Sequence, residues 1–591
     1  IDPERRYPSM LALLGELEVG LRRGRRLRLI AAASLLALAA ALVGVALTRP
    51  PALCTRAGEA LESAWNDDLR TRAAAAFART GRPFAAPAWA QVERRLDAYA
   101  EAWQAMHTDA CAATHLRGEQ SGDALDLRMR CLDRRRDELA ALVALFVDAD
   151  ERAVLHAVEA SDALTPIDRC ADASALAAAQ ALPENPADRA RALEVEAEIA
   201  RAKALRDAGH YEEALEVASP ALEASRELGL KALRADAGVM LGGIQALAGA
   251  PQDAAATLDQ AFVDGLASGH TEAAAWAAIA ETHVVGVISR RSADGRRWAH
   301  LAEPLLERLG RGDPRAESSL RGNLGGIAVI DGELAEAREH FEASLAITEA
   351  AYGPEDVMIA KMTANLATVH RRAGEHEEAL AASRRAREVF TVNLGPEHPA
   401  LATLANNVGV VLQSMGDLDG AERSYREVLA FAGGSLPETS STLGHAHGNL
   451  GEVLLLRGRV DEAADHYRHA ITIWEASRGP QHPLVAGALV GLATARIDAG
   501  AVDEALAALQ RAIAIYTASD ASAADLAGAQ IELARAMALA NPDELGEAIR
   551  VGEAAFAALP PGDAQARAGV WLEARRAERA AQTTSGGARS R

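Results

Sequence analysis

Gly332-Glu333-Leu334-Ala335-Glu336-Ala337 returns four times: as Gly374-Glu375-His376-Glu377-Glu378-Ala379, Gly416-Asp417-Leu418-Asp419-Gly420-Ala421, Gly458-Arg459-Val460-Asp461-Glu462-Ala463 and Gly500-Ala501-Val502-Asp503-Glu504-Ala505. Five glycines thus stand 42 residues apart, each five residues ahead of an alanine. Repetition at that length means stacked supersecondary units. Half a period after Gly332 comes a second breaker, Tyr352-Gly353-Pro354-Glu355. It returns as Gly395-Pro396-Glu397-His398-Pro399 and Gly479-Pro480-Gln481-His482-Pro483. The two breakers alternate every 21 residues, which leaves room for a helix of roughly four turns between them. The fold class is therefore all-α: a solenoid of helical hairpins over 185–576, clearest over 313–516.

The residues between the breakers agree. In Ala337-Arg338-Glu339-His340-Phe341 and Ala421-Glu422-Arg423-Ser424-Tyr425 a small residue and an aromatic lie four apart on one helix face. The small residue admits a close neighbour and the ring fills the gap between hairpins. Asn323-Leu324-Gly325 offers the same small-residue contact on the preceding helix. These residues resemble tetratricopeptide repeats, and the 42-residue length with its Gly-Pro-x-His-Pro corner is most similar to the repeats of kinesin light chains and their bacterial relatives. Gly209-His210-Tyr211-Glu212-Glu213-Ala214 and Gly249-Ala250-Pro251-Gln252-Asp253-Ala254 carry the same offset, 40 apart, so the array starts before its regular part. Residues 285–312 depart from the pattern, with Arg290-Arg291-Ser292-Ala293-Asp294-Gly295 at the expected turn. The tail 577–591 is expected to be disordered.

Composition narrows the function. A chain of 591 residues exceeds one globular core. Its formal net charge is −21. Residues 1–28 hold seven Arg against four acids, so the rest sums to −24. That acidity repels phosphates and excludes nucleic acid as a partner. A chain that begins on Ile1 is expected to continue upstream.

Residues 1–18 read as a turn leading into a short amphipathic helix with Met10, Leu11, Leu13, Leu14 and Leu17 on its apolar side. Asp2-Pro3-x-x-Arg6-Tyr7-x-Ser9-Met10 resembles the end of the Ser/Thr protein kinase catalytic lobe. That resemblance implies a structural salt bridge for Arg6 and a kinase domain upstream, which would need ATP and Mg. No Gly-rich phosphate loop, His-Arg-Asp or Asp-Phe-Gly occurs here, so the chain is expected to have no catalytic residues, cofactor or metal of its own.

A basic segment, 19–28, carries Arg22, Arg23, Arg25, Arg26 and Arg28. It precedes the uncharged stretch Leu29 to Thr48, whose 20 residues match the ~20 needed to cross a bilayer as a helix. Arg49-Pro50-Pro51 stops it. Five arginines before the stretch and Arg49 and Arg56 after it place the N-terminal side in the cytoplasm. Residues beyond about 50 are then periplasmic, outside an inner or plasma membrane crossed once. A buried soluble helix is the alternative.

All four cysteines, Cys54, Cys111, Cys131 and Cys170, lie just past that stretch, a distribution that suggests disulfides in an oxidising compartment. Cys111 and Cys131 flank the polar turn 117–123, so the expected pairs are Cys111–Cys131 and Cys54–Cys170, at ~3 kcal/mol each. Free buried thiols are the alternative, and no Cys-x-x-Cys pair favours zinc. Residues 49–184, with Trp65, Trp89 and Trp103, read as a compact all-α module. Its place resembles that of the extracytoplasmic region between span and repeats in bacterial membrane kinases.

The candidate binding feature is a ladder of asparagines, Asn323, Asn365, Asn407 and Asn449, at the 42-residue period on the first helix of each hairpin. First helices line the concave face of a solenoid, where carboxamides can bond an extended peptide. The kinesin-light-chain resemblance implies the same. Alternatively, each asparagine ties its hairpin to the next. Gly491 ends the ladder. His445-Ala446-His447 lies beside it, but residues two apart on a helix diverge.

Together these features point to the non-catalytic sensor part of a membrane Ser/Thr kinase, its repeats binding a protein or peptide, with homo-oligomers allowed. A membrane-anchored repeat scaffold without kinase activity is the second reading, and a cytoplasmic adaptor the third.

Overall fold

A computed structural model of the protein describes residues 9–48, 54, 57–171, 176, 182–310, 313–519 and 521–589. Asp2, Pro3, Arg6 and Tyr7 of the kinase-like ending and Arg49-Pro50-Pro51 lie outside them. Among the described residues the regular secondary structure is helical, with one isolated β-bridge between Ala432 and Leu436.

The hairpins run from Pro186–Asp207 and Tyr211–Glu227 to Ala523–Ala540 and Leu545–Phe556. Each regular pair is punctuated as the glycines require. Gly332, Gly374, Gly416, Gly458 and Gly500 all sit at φ between +74° and +81°, the left-handed conformation that closes a helix and that residues with a Cβ enter at a cost. The alanine five residues on is fully buried in every case, at Ala337, Ala379, Ala421, Ala463 and Ala505, and likewise at Ala214 and Ala254.

The Gly-Pro-x-His-Pro corner is a turn and a helix cap in one. Gly395 has φ +87°. His398 Nδ1 then accepts the Ala400 N–H at 3.2 Å, ahead of Pro399 in the first turn. His482 does the same for Leu484 at 3.2 Å, and Asp356 caps Met358 at 2.8 Å. Each spares a helix an orphan donor.

The small residue on the first helix is matched in size to its neighbour on the second. A Cβ on Gly325 would stand 2.8 Å from Phe341, one on Gly409 2.5 Å from Tyr425, and one on Gly451 3.0 Å from Tyr467. In the two repeats with alanine at this register, Ala367 and Ala493, the aromatic register holds Ser383 and Leu509. Among these five regular repeats the small residue is glycine only where the second helix carries a ring; in the earlier hairpin Gly242 faces Leu258.

The irregular stretch has its own solution. The helix Thr271–Glu281 continues as a π-helical segment, Thr282–Ile288, before Ser292–Arg308. Gly286 and Gly295 cross so closely that a Cβ on Gly295 would lie 2.4 Å from Gly286 Cα. Arg290 takes φ +54° in the turn.

Residues 57–171 form five helices and a closing 3-10 turn, Ile167–Ala171. Trp103, Phe77, Phe146, Leu132 and Leu139 fill the core. Trp103 Nε1 donates to the Leu132 carbonyl at 2.7 Å.

Two expectations are corrected. The disulfides are Cys54–Cys111 and Cys131–Cys170, and not Cys111–Cys131 with Cys54–Cys170. Cys111 lies four residues before the end of Ala85–His115, and Cys131 nine residues into Gly122–Val147. That puts the two about 7 Å out of step along antiparallel helices, beyond what one bridge spans with its lateral separation added. The expected disordered tail is instead part of a helix, Asp563–Arg589; its alanines favour helix, and Arg575–Glu578 and Arg576–Glu553 ion pairs anchor it. The expected span belongs to one continuous helix, Met10–Thr48. Among the described residues no helix is long and apolar enough to cross a membrane. The side chains at 29, 30, 33 and 40–48, most of that stretch, lie outside the described residues. Where they are described, Leu35, Leu36 and Leu38 are at least 60% exposed.

Candidate interaction surfaces

The asparagine ladder divides in the folded chain. Asn323 Nδ2 donates to the Ile279 carbonyl of the preceding hairpin at 3.0 Å. Asn449 Nδ2 donates to Asn406 Oδ1 at 3.2 Å. These two stitch neighbouring hairpins. Asn365 is exposed, Asn407 is half-buried, and among the described residues neither carboxamide makes a hydrogen bond. Only these two leave their carboxamides open to a ligand. The ladder ends at Gly491 because a Cβ there would stand 2.3 Å from Tyr467. That ring is packed between Gly451 and Gly491.

The histidines beside the ladder form a separate group. His447 Nδ1 meets His466 Nδ1 at 2.9 Å and its ring stacks on His469 at 5.0 Å. Burial first, then the neighbouring His466 and His469, push His447 down to about 4. Among the described residues no cluster of His, Cys, Asp or Glu could hold a metal ion.

The larger feature is one that sequence reasoning missed: the four-cysteine module lies against the corners between successive hairpins. Its apolar core is continuous with Val357, Ile359, Ala360, Phe390, Leu394, Leu401 and Leu404 of the solenoid. Around that contact runs a polar rim. Gln91 Nε2 donates to the Val392 carbonyl at 2.7 Å. Arg95 bridges Asp162 and Asn393 Oδ1, each at 2.6 Å. Asn393 is itself 3% exposed and donates to the Glu355 carbonyl at 2.7 Å, joining two corners to the module. Lys361 pairs with Glu159 at 2.9 Å.

His398 serves both partners. Its Nδ1 caps the helix, so the proton sits on Nε2, which donates to the Leu155 carbonyl at 3.1 Å. Phe84 packs edge-on against the ring at 5.1 Å. Burial lowers the pKa of His398, the Leu155 carbonyl opposing, and nearby His156 and Lys361 add to the depression. The corner motif made the cap legible, but nothing local announces a partner 243 residues away.

The module also holds the solenoid by charged groups, from Arg130–Glu196 on the first hairpin to Gly434. Arg82 donates to the Gly434 carbonyl at 2.5 Å. Arg169, in the turn fixed by Cys131–Cys170, pairs with Glu272 and, at 2.5 Å, with Asp313. Burial opposes the charge on Arg169, but Glu272 and Asp313 outweigh it and hold its pKa above the usual value. Arg315 answers from the solenoid, donating to the Asp162 carbonyl.

The family model for the tetratricopeptide repeat matches residues 316–382, 358–432 and 442–518. No curated protein matches the sequence. Among solved structures, BtubC (BKLC) from P. vanneervenii is 22% identical, covering 37% of this chain and 89% of its own, with a TM-score of 0.33. A putative kinesin light chain of nearly identical TPR-like repeats from Podosopora anserina is 20% identical, covering 34% of this chain and 96% of its own, with a TM-score of 0.31. The apo form of RapI is 14% identical over 55% of this chain and 85% of its own, with a TM-score of 0.44. The chain is an α-solenoid that carries tetratricopeptide repeats, with kinesin-light-chain-like repeats among its structural neighbours.

Proposed function

We propose that this chain is the protein-binding sensor part of a membrane-anchored Ser/Thr kinase, held in the bilayer through residues 29–48. The repeats bring the protein-interaction role. The observation that carries the membrane part is the helix Met10–Thr48, where an arginine-rich segment runs into an uncharged one whose described leucines face outward. The kinase part rests on the resemblance of residues 1–18. Asn365 and Asn407 supply the open carboxamides for an extended peptide, while Asn323 and Asn449 hold the hairpins in register.

Two measurements test this. Expressed in bacteria, the chain is expected to stay with membranes through an alkaline carbonate wash. Recovery in the soluble extract, with the helical fold intact, refutes anchoring. Asn365→Ala with Asn407→Ala is expected to weaken partner capture without lowering thermal stability, and unchanged capture refutes the peptide site.

A further inference from the structure

We propose that the groove between the helices Pro251–Ser268 and Ser292–Arg308 binds one arginine side chain of a partner peptide, with Glu281 at its base as the acceptor. The groove has a cavity of about 370 Å³, lined by Asp259, Glu281, Val285, Trp298 and Leu301 among others. It is separate from the asparagines and from the module contact.

Three features define the ligand. Glu281 is 1% exposed, and its Oε2 is buried with no hydrogen-bond partner. Such a group lacks the partner that buried acceptors ordinarily have. It ends the helix Thr271–Glu281 where the backbone widens into the π-helical turn Thr282–Ile288, a distortion frequent at functional sites.

Two cations line the groove, Arg291 and Arg297, and both are paired with Asp294, which lines it too, at 2.5 and 3.0 Å. Asp259 is exposed on the facing helix and has no ion pair among the described residues. Among the described residues neither Asp259 nor Glu281 forms an ion pair, although Arg291 and Arg297 also line the groove.

Trp298, half-buried and held edge-on by Phe262 at 5.2 Å, supplies an aromatic wall. A planar guanidinium suits a site that combines carboxylates with a ring, and it keeps its charge when desolvated.

Burial, with Asp259 adding and Arg291 opposing, raises Glu281 to about 8. That direction favours the protonated form of Glu281 at neutral pH before a ligand binds. A bound guanidinium favours the carboxylate, so binding releases a proton to the buffer.

The test is titration calorimetry on the full chain with the peptide Ac-Gly-Arg-Gly-NH2 and its citrulline isostere, at pH 7 in phosphate and in Tris. The arginine peptide is expected to bind at least about tenfold more tightly than the citrulline one, as loss of a charge-assisted bond implies. Its apparent enthalpy should differ between the buffers by the proton they take up. Glu281→Gln should cost about tenfold or more. Asp259→Asn, an exposed change that leaves the fold alone, should cost about threefold. Equal binding of the two peptides, no binding of either, or no buffer dependence overturns the proposal. So does an unchanged affinity in Asp259→Asn, whatever Glu281→Gln does to folding.

Discussion

Two glycines on neighbouring first helices should respond to the same substitution with opposite sign. Gly409 and Gly448 both lie within helices, Pro399–Ser414 and Ser441–Leu456. Replacing either by alanine removes the backbone entropy cost of glycine, a gain of about 0.5–1 kcal/mol. At Gly448 nothing lies within 4 Å of the new Cβ, so Gly448→Ala should raise stability by about that gain. At Gly409 the Cβ arrives 2.5 Å from Tyr425 Cε1 and 2.8 Å from Cδ1. That ring is 0% exposed and its hydroxyl donates to Gln413 Oε1 at 2.8 Å, so it cannot step aside cheaply. Overpacking costs about 1–3 kcal/mol, which exceeds the entropy gain and leaves Gly409→Ala destabilising by about 1 kcal/mol. Urea denaturation of both variants, with the slope checked for constancy, reads the difference. The control is Gly409→Ala in a Tyr425→Ser background, the pairing that Ala367 and Ser383 present at the same register. There the alanine should stabilise, giving a coupling of about 1–3 kcal/mol between the two sites. If Gly409→Ala and Gly448→Ala shift the urea midpoint alike, the size-matching argument for the repeats is refuted.

The module contact supports three further predictions. Arg169→Ala, or reduction of Cys131–Cys170, should free the clamp on Glu272 and Asp313 and raise hydrogen exchange of the described amides at 357–361 and 398–404. Unchanged protection there would sink the idea that the turn Ile167–Ala171 holds the module in place. Arg95→Ala leaves Asp162 and Asn393 without their shared partner and should cost about 1–2 kcal/mol, a buried-pair loss discounted for partial exposure; a midpoint equal to wild type refutes it. Acidification should loosen the same contact. His398 has a folded pKa below its ordinary value, so the unfolded chain binds more protons, and the stability it contributes is present above about 6.5 and lost as pH falls below that. A Tm that holds steady from pH 7 to pH 5 in wild type, or falls as steeply in His398→Asn as in wild type, contradicts this.

The parts of the fold that could be read from the sequence are those whose physical cause is local. A left-handed turn demands glycine at Gly332 and its successors, and close helix contact demands alanine five residues later. Both leave a mark at fixed spacing. Gly491 was legible as a break in the ladder but not as the seat of Tyr467, because the ring comes from the previous hairpin. The disulfide pairing was out of reach for a similar reason. The turn at 117–123 brings two helices together, yet the phase of Cys111 and Cys131 along them depends on where each helix starts. The division of the asparagines was hidden too, since Asn323 and Asn365 occupy one register, yet Asn323 bonds the Ile279 carbonyl and Asn365 makes no such bond among the described residues. Least legible of all was the docking of the module. It relies on residues such as Gln91, Arg95 and His398, whose partners stand about 240–300 positions away with no repeat to announce them.

An array of stacked hairpins behaves as a spring, since each unit touches only its neighbours and small rotations between them add up. Here the module is fastened near one end of a run of hairpins, at Glu272 and Asp313, and near the other, at Gly434. It is a strut laid across the coils. Between those points the pitch of the superhelix cannot change without breaking a contact at one end, whereas the coils beyond Gly434 remain free to flex. The spring is therefore stiff in one half and compliant in the other, and a pull on the C-terminal hairpins is taken up first by the half that the strut does not cross.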